Sequence, residues 1–277
     1  MNADQAREYI ARLDAMAAHR SEPFAPGRLM RWRIFGQGEP LVLIHGGHGS
    51  WLHWIKNIEA LAAGRSVIAV DLPGFGDSDD LPRDATAQQV AEAATESLNA
   101  LLGAQRPIDI AGFSFGGSIA ARIAEKRGAI RRLALLGSAG SGTPERARAT
   151  LVRWRPLEGA NQEAALRHNL LAHMLHRESA ADALAFEAYA QCTKITRYRS
   201  RGEVQRIKLT QILERHREPV LFLWGEHDVT ATPELVRDEL ARSGAHRVVK
   251  LLPGAGHWIQ CEIPDIVNAE LEQWFSL

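Results

Sequence analysis

The chain has 277 residues, 33 Lys+Arg against 33 Asp+Glu, and is 45% hydrophobic and 24% charged. That length suits one large domain, or one domain carrying an insertion, and the composition excludes collagen-like, low-complexity and disordered readings. A formal net charge of zero provides no overall field for holding nucleic acid or an anionic membrane surface, and two cysteines, Cys192 and Cys261, cannot build a disulfide framework.

From Met1 to Arg20 the residues Tyr9, Ile10, Leu13, Met16 and Ala17 recur at helical spacing, interrupted by Asp4, Arg7, Glu8, Arg12 and Asp14. Such a segment is no signal peptide, and no stretch approaches the ~18 uninterrupted apolar residues of a membrane span. With so few cysteines, the expected location is the cytoplasm. Leu29–Phe35 then reads as an antiparallel edge strand. Short, continuous apolar runs follow at Leu41–Ile44, Val67–Val70, Ile108–Ala111, Leu133–Leu136, Val220–Trp224 and Val248–Leu252. Continuous runs mark parallel strands covered on both faces. Helical patterns at Thr86–Leu102, Gly116–Lys126, Pro233–Ala241 and Pro264–Phe275 alternate with them. The alternation predicts an α/β fold with a mostly parallel central sheet flanked by helices.

Between Ser138 and Arg217 the alternation stops. This stretch reads as helical, around Glu163–Leu175 and Ala180–Cys192, and from Pro144 to Pro219 it carries fourteen Lys+Arg against nine acids. The expected organisation is a core over residues 1–137 and 218–277 with a helical cap inserted at 138–217.

The sharpest chemical signal is Gly112-Phe113-Ser114-Phe115-Gly116, directly after a strand and opening a helix. A G-x-S-x-G turn in that context is a nucleophile elbow, which projects the serine hydroxyl at the carboxyl end of the sheet. The Phe115 amide, at the helix N-terminus, faces the place where an oxyanion forms. A second glycine-rich turn, His45-Gly46-Gly47-His48-Gly49, follows an earlier strand, and the Gly47 amide is the candidate second donor. His45, His48 and His53 fit no metal-ligand spacing, and neither phosphate-loop pattern is present, so no metal and no cofactor are expected.

A serine hydroxyl needs a base, and the base an orienting carboxylate. Asp228 lies just past the strand Val220–Trp224 and His257 just past Val248–Leu252. The order Ser114, Asp228, His257 is that of the α/β-hydrolases. With the turn Asp71-Leu72-Pro73-Gly74-Phe75-Gly76-Asp77-Ser78, which is assigned to structure, these motifs make the chain resemble the α/β-hydrolase fold superfamily over nearly its whole length. The resemblance is to the serine-nucleophile branch, including carboxylesterases and meta-cleavage-product carbon–carbon hydrolases, and it implies that the insertion caps the active site.

The reaction so implied is acyl transfer through an acyl-enzyme, on a small-molecule ester or related carbonyl compound of small or medium acyl length. A carbon–carbon hydrolase acting on dienoates is the alternative; Phe113 stands where that family typically has Asn. A receptor without turnover is the alternative from another class. Candidate substrate contacts are Trp258, His48 and Phe113, with Trp51, Trp54 and Trp154 as further aromatic walls. In the basic run Lys194, Arg197, Arg199, Arg201, Arg206 and Lys208, with Glu203 its sole acid, one arginine turned inward is the sharper reading and a solvated face the plainer one.

Overall fold

Residues 1–199, 208–242 and 246–277 are described by the structure, a computed structural model. Arg201, Glu203 and Arg206 of the basic run lie outside them. Helix α1 (Ala3–Met16) opens on a capping box in which Asn2 and Gln5 exchange side chain–backbone bonds of 2.8 and 2.9 Å. Strands β1 (Ala18–Ala25), β2 (Arg28–Phe35) and β3 (Pro40–Ile44), helix α2 (Ile58–Ala62) and strand β4 (Ser66–Asp71) follow. Next come α3 (Ala87–Leu102), β5 (Ile108–Phe113), α4 (Phe115–Arg127) and β6 (Ile130–Leu136). After a long loop come α5 (Gly159–His173), α6 (Ala183–Ile195) and α7 (Leu209–Ile212), and then β7 (Val220–Gly225), α8 (Pro233–Arg242), β8 (Arg247–Leu252), α9 (Ile259–Glu262) and α10 (Pro264–Ser276).

The eight strands form one sheet in the order β1-β2-β4-β3-β5-β6-β7-β8, antiparallel across β1, β2 and β4 and parallel from there on. β2 is antiparallel as expected but is not the edge, because β1 pairs outside it. β1 escapes sequence reading because its residues His19, Arg20 and Ser21 are exposed and carry no apolar pattern. Strands β3, β5 and β7 are buried along their whole length, which is why their sequences are continuous apolar runs.

Alternation along each strand divides the core between the two faces of the sheet. Leu41, Leu43, Ala111, Leu221 and Leu223 face one cluster, with Leu13, Ile58 and Leu271 of α1, α2 and α10. Val42, Ile44, Ile110, Val220 and Phe222 face the other, with Leu98, Ile119 and Val236 of α3, α4 and α8. Every parallel strand therefore points its carboxyl end to the same rim of the sheet, where loops converge. Between β6 and β7 the described residues form helices and loops and no strand. Leu166, Leu170 and Leu184 of α5 and α6 extend the first cluster, joining that stretch to the core.

Candidate active site

Ser114 sits at the junction of β5 and α4 with φ 53° and ψ −119°. A non-glycine residue at positive φ stores about 1–3 kcal/mol of backbone strain. Its neighbours hold the turn in place: Ser114 N donates to Leu136 O, and the amides of Gly117 and Ala139 donate to Ser114 O, each at 2.9 Å. The flanking glycines are obligatory for space. A Cβ on Gly112 would stand 2.5 Å from Gly116 O, and one on Gly116 would stand 2.2 Å from His45 O.

Three loops from three strand ends bring the candidate residues together. His257 Nε2 lies 2.9 Å from Ser114 Oγ, and His257 Nδ1 lies 2.8 Å from Asp228 Oδ2. Asp228 is fully buried. Burial by itself raises a carboxyl, but the His257 imidazole and the hydrogen bonds from His257 and Thr230 outweigh it and hold Asp228 below the ordinary carboxylate range. Phe115 begins α4, so its amide has no earlier turn to bond to. A Cβ on Gly47 would lie 3.8 Å from the Phe115 Cβ, so the two residues that carry the candidate oxyanion donors adjoin.

Ser114 and His257 line a cavity of about 1130 Å³, together with Gly47, His48, Phe113 and Phe115. The far walls come from the β6–β7 stretch: the loop around Trp154, Asn169 and His173 of α5, and Tyr189 and Thr193 of α6. His48 holds a positive φ of 54°, and burial, reinforced by Arg155 and Arg199, pushes its pKa down.

Trp258 is a correction. It is fully buried, donates from Nε1 to His53 O at 2.9 Å and does not line the cavity. Following His257 in sequence, it turns its indole to the opposite side, into the core. Trp51 and Trp54 are also buried off the cavity, whereas Trp154 lines it. His45 and His53 organise the glycine loop. Leu72 N donates to His45 Nε2 at 3.0 Å and Gly46 N to His53 Nδ1 at 3.1 Å. Asp71 is a structural acceptor, taking Trp51 N at 2.9 Å, Arg33 Nη1 at 2.9 Å and Asp77 N at 3.1 Å.

Three residues went unread in the sequence. Thr230 donates from its backbone N (2.8 Å) and its Oγ1 (2.7 Å) to Asp228 Oδ1. An aspartate bonding the amide two residues on is a local turn signal that could have marked it. His173 faces the His257 ring at 5.7 Å between centroids, and burial, with His257 adding to it, pushes its pKa down to about 3. Glu262, on α9, gathers Gly256 N (2.7 Å), Arg177 N (2.6 Å) and His176 N (3.1 Å) around one carboxylate. No local pattern marks His173 or Glu262, because His257, which faces the one, and His176 and Arg177, which bond the other, lie far away in sequence.

The profile of the alpha/beta hydrolase family matches residues 41–268. The dihydrolipoyllysine-residue acetyltransferase component of the acetoin cleaving system of Pseudomonas putida is 32% identical over 263 residues, 88% of this chain and 66% of that protein. The 2-hydroxymuconate semialdehyde hydrolase of Pseudomonas sp. (strain CF600) is 39% identical over 115 residues, 39% of this chain and 40% of that protein. The chain thus spans less than two thirds of each of these relatives. Among solved structures, the esterase RhEst1 from Rhodococcus sp. ECU1013 superposes with a TM-score of 0.76 at 22% identity, over 93% of this chain and 98% of that one.

Proposed function

The chain belongs to the alpha/beta hydrolase family, and we propose that it is a serine hydrolase cleaving carboxylic esters of small or medium acyl groups. The observation that carries this reading is the hydrogen-bonded series Asp228–His257–Ser114, with 2.8 and 2.9 Å contacts, opening on a cavity. In this mechanism His257 takes the Ser114 proton as Oγ attacks the ester carbonyl, and the Gly47 and Phe115 amides donate to the oxyanion. Asp228, kept ionised, holds the His257 tautomer and stabilises the imidazolium. His257 then protonates the departing alcohol, and water, activated by the same imidazole, opens the acyl-enzyme. Residues 138–217 act as the cap, closing the cavity over the serine.

A second reading, carbon–carbon bond hydrolysis, draws support from the 39% identity to a semialdehyde hydrolase. Against it, Phe113 is fully buried beside Ser114, with its ring 4.9 Å from His257, so an apolar group stands where a polar anchor is needed. Acyl transfer to another nucleophile, suggested by the acetyltransferase relative, uses the same acyl-enzyme. The test is hydrolysis of p-nitrophenyl acetate, butyrate and octanoate by the wild type and by Ser114→Ala. Turnover on the order of tens per second, falling at least about a thousandfold in the variant, supports the proposal. Turnover of meta-cleavage dienoates and not of esters would establish the second reading instead.

A further inference from the structure

The cavity wall contributed by the β6–β7 stretch is unusually cationic. Arg148, Arg153, Arg155 and Arg199 line it, and the single lining acid among the described residues, Glu145, already meets Arg148 at 3.0 Å. Nearby arginines outside the cavity are spent on structure. Arg146 binds both oxygens of Glu234 at 2.6 Å, and Arg197 binds Asp80 at 2.6 Å while also donating to Gly76 O and Ser78 O. Arg153, Arg155 and Arg199 meet no acid among the described residues. Arg197, a member of the basic run, is thus a clamp, and Arg199, two residues on, reaches the cavity.

The segment that presents Arg155 is held, not loose. Buried Asn169 of α5 accepts from Val152 N at 2.7 Å and donates to Val152 O at 2.9 Å, pinning the backbone just before it. The Arg155 guanidinium then stacks over Trp154 at 4.6 Å from the ring centroid. Arg155 and Arg199 line the same cavity as His48, and both help to push its pKa down. The cavity that these cations share with Ser114 is also lined by Leu151, Val152, Trp154 and Met174, an apolar surface suited to a hydrocarbon spacer.

We propose that this cavity takes esters carrying a second, remote carboxylate, which Arg155 and Arg199 receive while the ester carbonyl lies at Ser114. A guanidinium offers a planar fork that matches a carboxylate, and two that meet no acid among the described residues, beside apolar lining, select a chain with an anionic end over a neutral chain of equal shape. The inference rests on the ester-hydrolase reading for the bond that is cut, but the anion site stands on its own residues.

Binding without turnover separates the two. Ser114→Ala protein is titrated calorimetrically with monoethyl adipate and with ethyl 6-methylheptanoate, in which an isopropyl group replaces the carboxylate. The anionic ester should bind about tenfold tighter, and raising sodium chloride to about 0.5 M should shrink that gap. Adding Arg155→Gln and Arg199→Gln should close it by weakening the anionic ester; a thermal melt confirms that the variant is folded. Equal affinities, failure of the anionic ester to bind, or a gap that survives both substitutions would overturn the proposal. Wild-type hydrolysis of the two esters is measured in parallel: charge-selective binding with no cleavage of either would remove the ester-hydrolase reading and leave the anion site in place.

Discussion

Glu262 offers a demanding test of how the candidate base is held. Its carboxylate is buried and accepts Gly256 N, Arg177 N and His176 N, so one side chain joins the loop carrying His257 to the turn after α5. Glu262→Gln keeps one acceptor oxygen and turns the other into an NH2 group facing backbone N–H donors. Losing one charge-assisted bond and burying a donor against a donor costs about 3 kcal/mol. For a chain of this size that corresponds to a fall in Tm of roughly 6–12 °C. Because Gly256 precedes His257, the imidazole also shifts from its 2.9 Å contact with Ser114, and kcat should drop at least about tenfold with a smaller change in KM. Differential scanning calorimetry and p-nitrophenyl butyrate kinetics read the two effects. A Tm within about 2 °C of wild type, together with an unchanged kcat, would refute the idea that this carboxylate positions His257.

Other expectations follow from the same contacts. Thr230→Val removes the Oγ1 donor from Asp228 but keeps the backbone donor, so kcat should fall about tenfold, with the pH profile of kcat displaced and the melting temperature little changed. His173 is held neutral, with a pKa of about 3 against 6.5 when unfolded, so the unfolded chain binds the extra proton in that window. Its share of stability is therefore present above about pH 6.5 and lost as pH falls toward 3, and His173→Phe should flatten the urea-midpoint decline between pH 7 and 5 by about 1–2 kcal/mol. Cys192 and Cys261 are buried, and burial pushes both thiols up to about 12, so a disulfide reagent should label native protein slowly and unfolded protein at once. Prompt labelling of the native protein would contradict this.

The serine elbow and the cationic wall differ in how they are held. Ser114 is locked by backbone bonds to its neighbours and by two glycines that no larger residue can replace, so its strain is fixed with the core. The described residues of the β6–β7 stretch are held at scattered points, with Asn169 holding Val152, Glu262 holding Arg177, and Met174 O and Gly74 O taking the amides of Trp258 and Tyr198. Changes of specificity are therefore expected to arise in that stretch at less cost to the fold than changes at the elbow.

Local chemistry was enough to read the inner parallel strands, the strand–helix turn at Ser114 and the placing of Asp228 and His257 just past strand ends. β8, read as covered on both faces, is instead a partly exposed edge. A strand buried on both faces must be continuously apolar, and a turn that throws a serine to positive φ needs glycines at fixed offsets. Each of these constraints lies within a few residues of chain. The outer strand β1 was not legible, because an exposed edge imposes no apolar pattern. Nor was the direction of Trp258, since the residue after His257 is turned away from it by a turn of backbone that composition does not encode. His173, Glu262 and the pair Arg155–Arg199 acquire their surroundings from segments distant in sequence, across gaps that only packing closes. Sequence determined which groups stand at the strand ends, because spacing along one chain dictates that. Tertiary structure alone decided what faces them across the cavity, because through-space contacts between loops leave no periodicity to read.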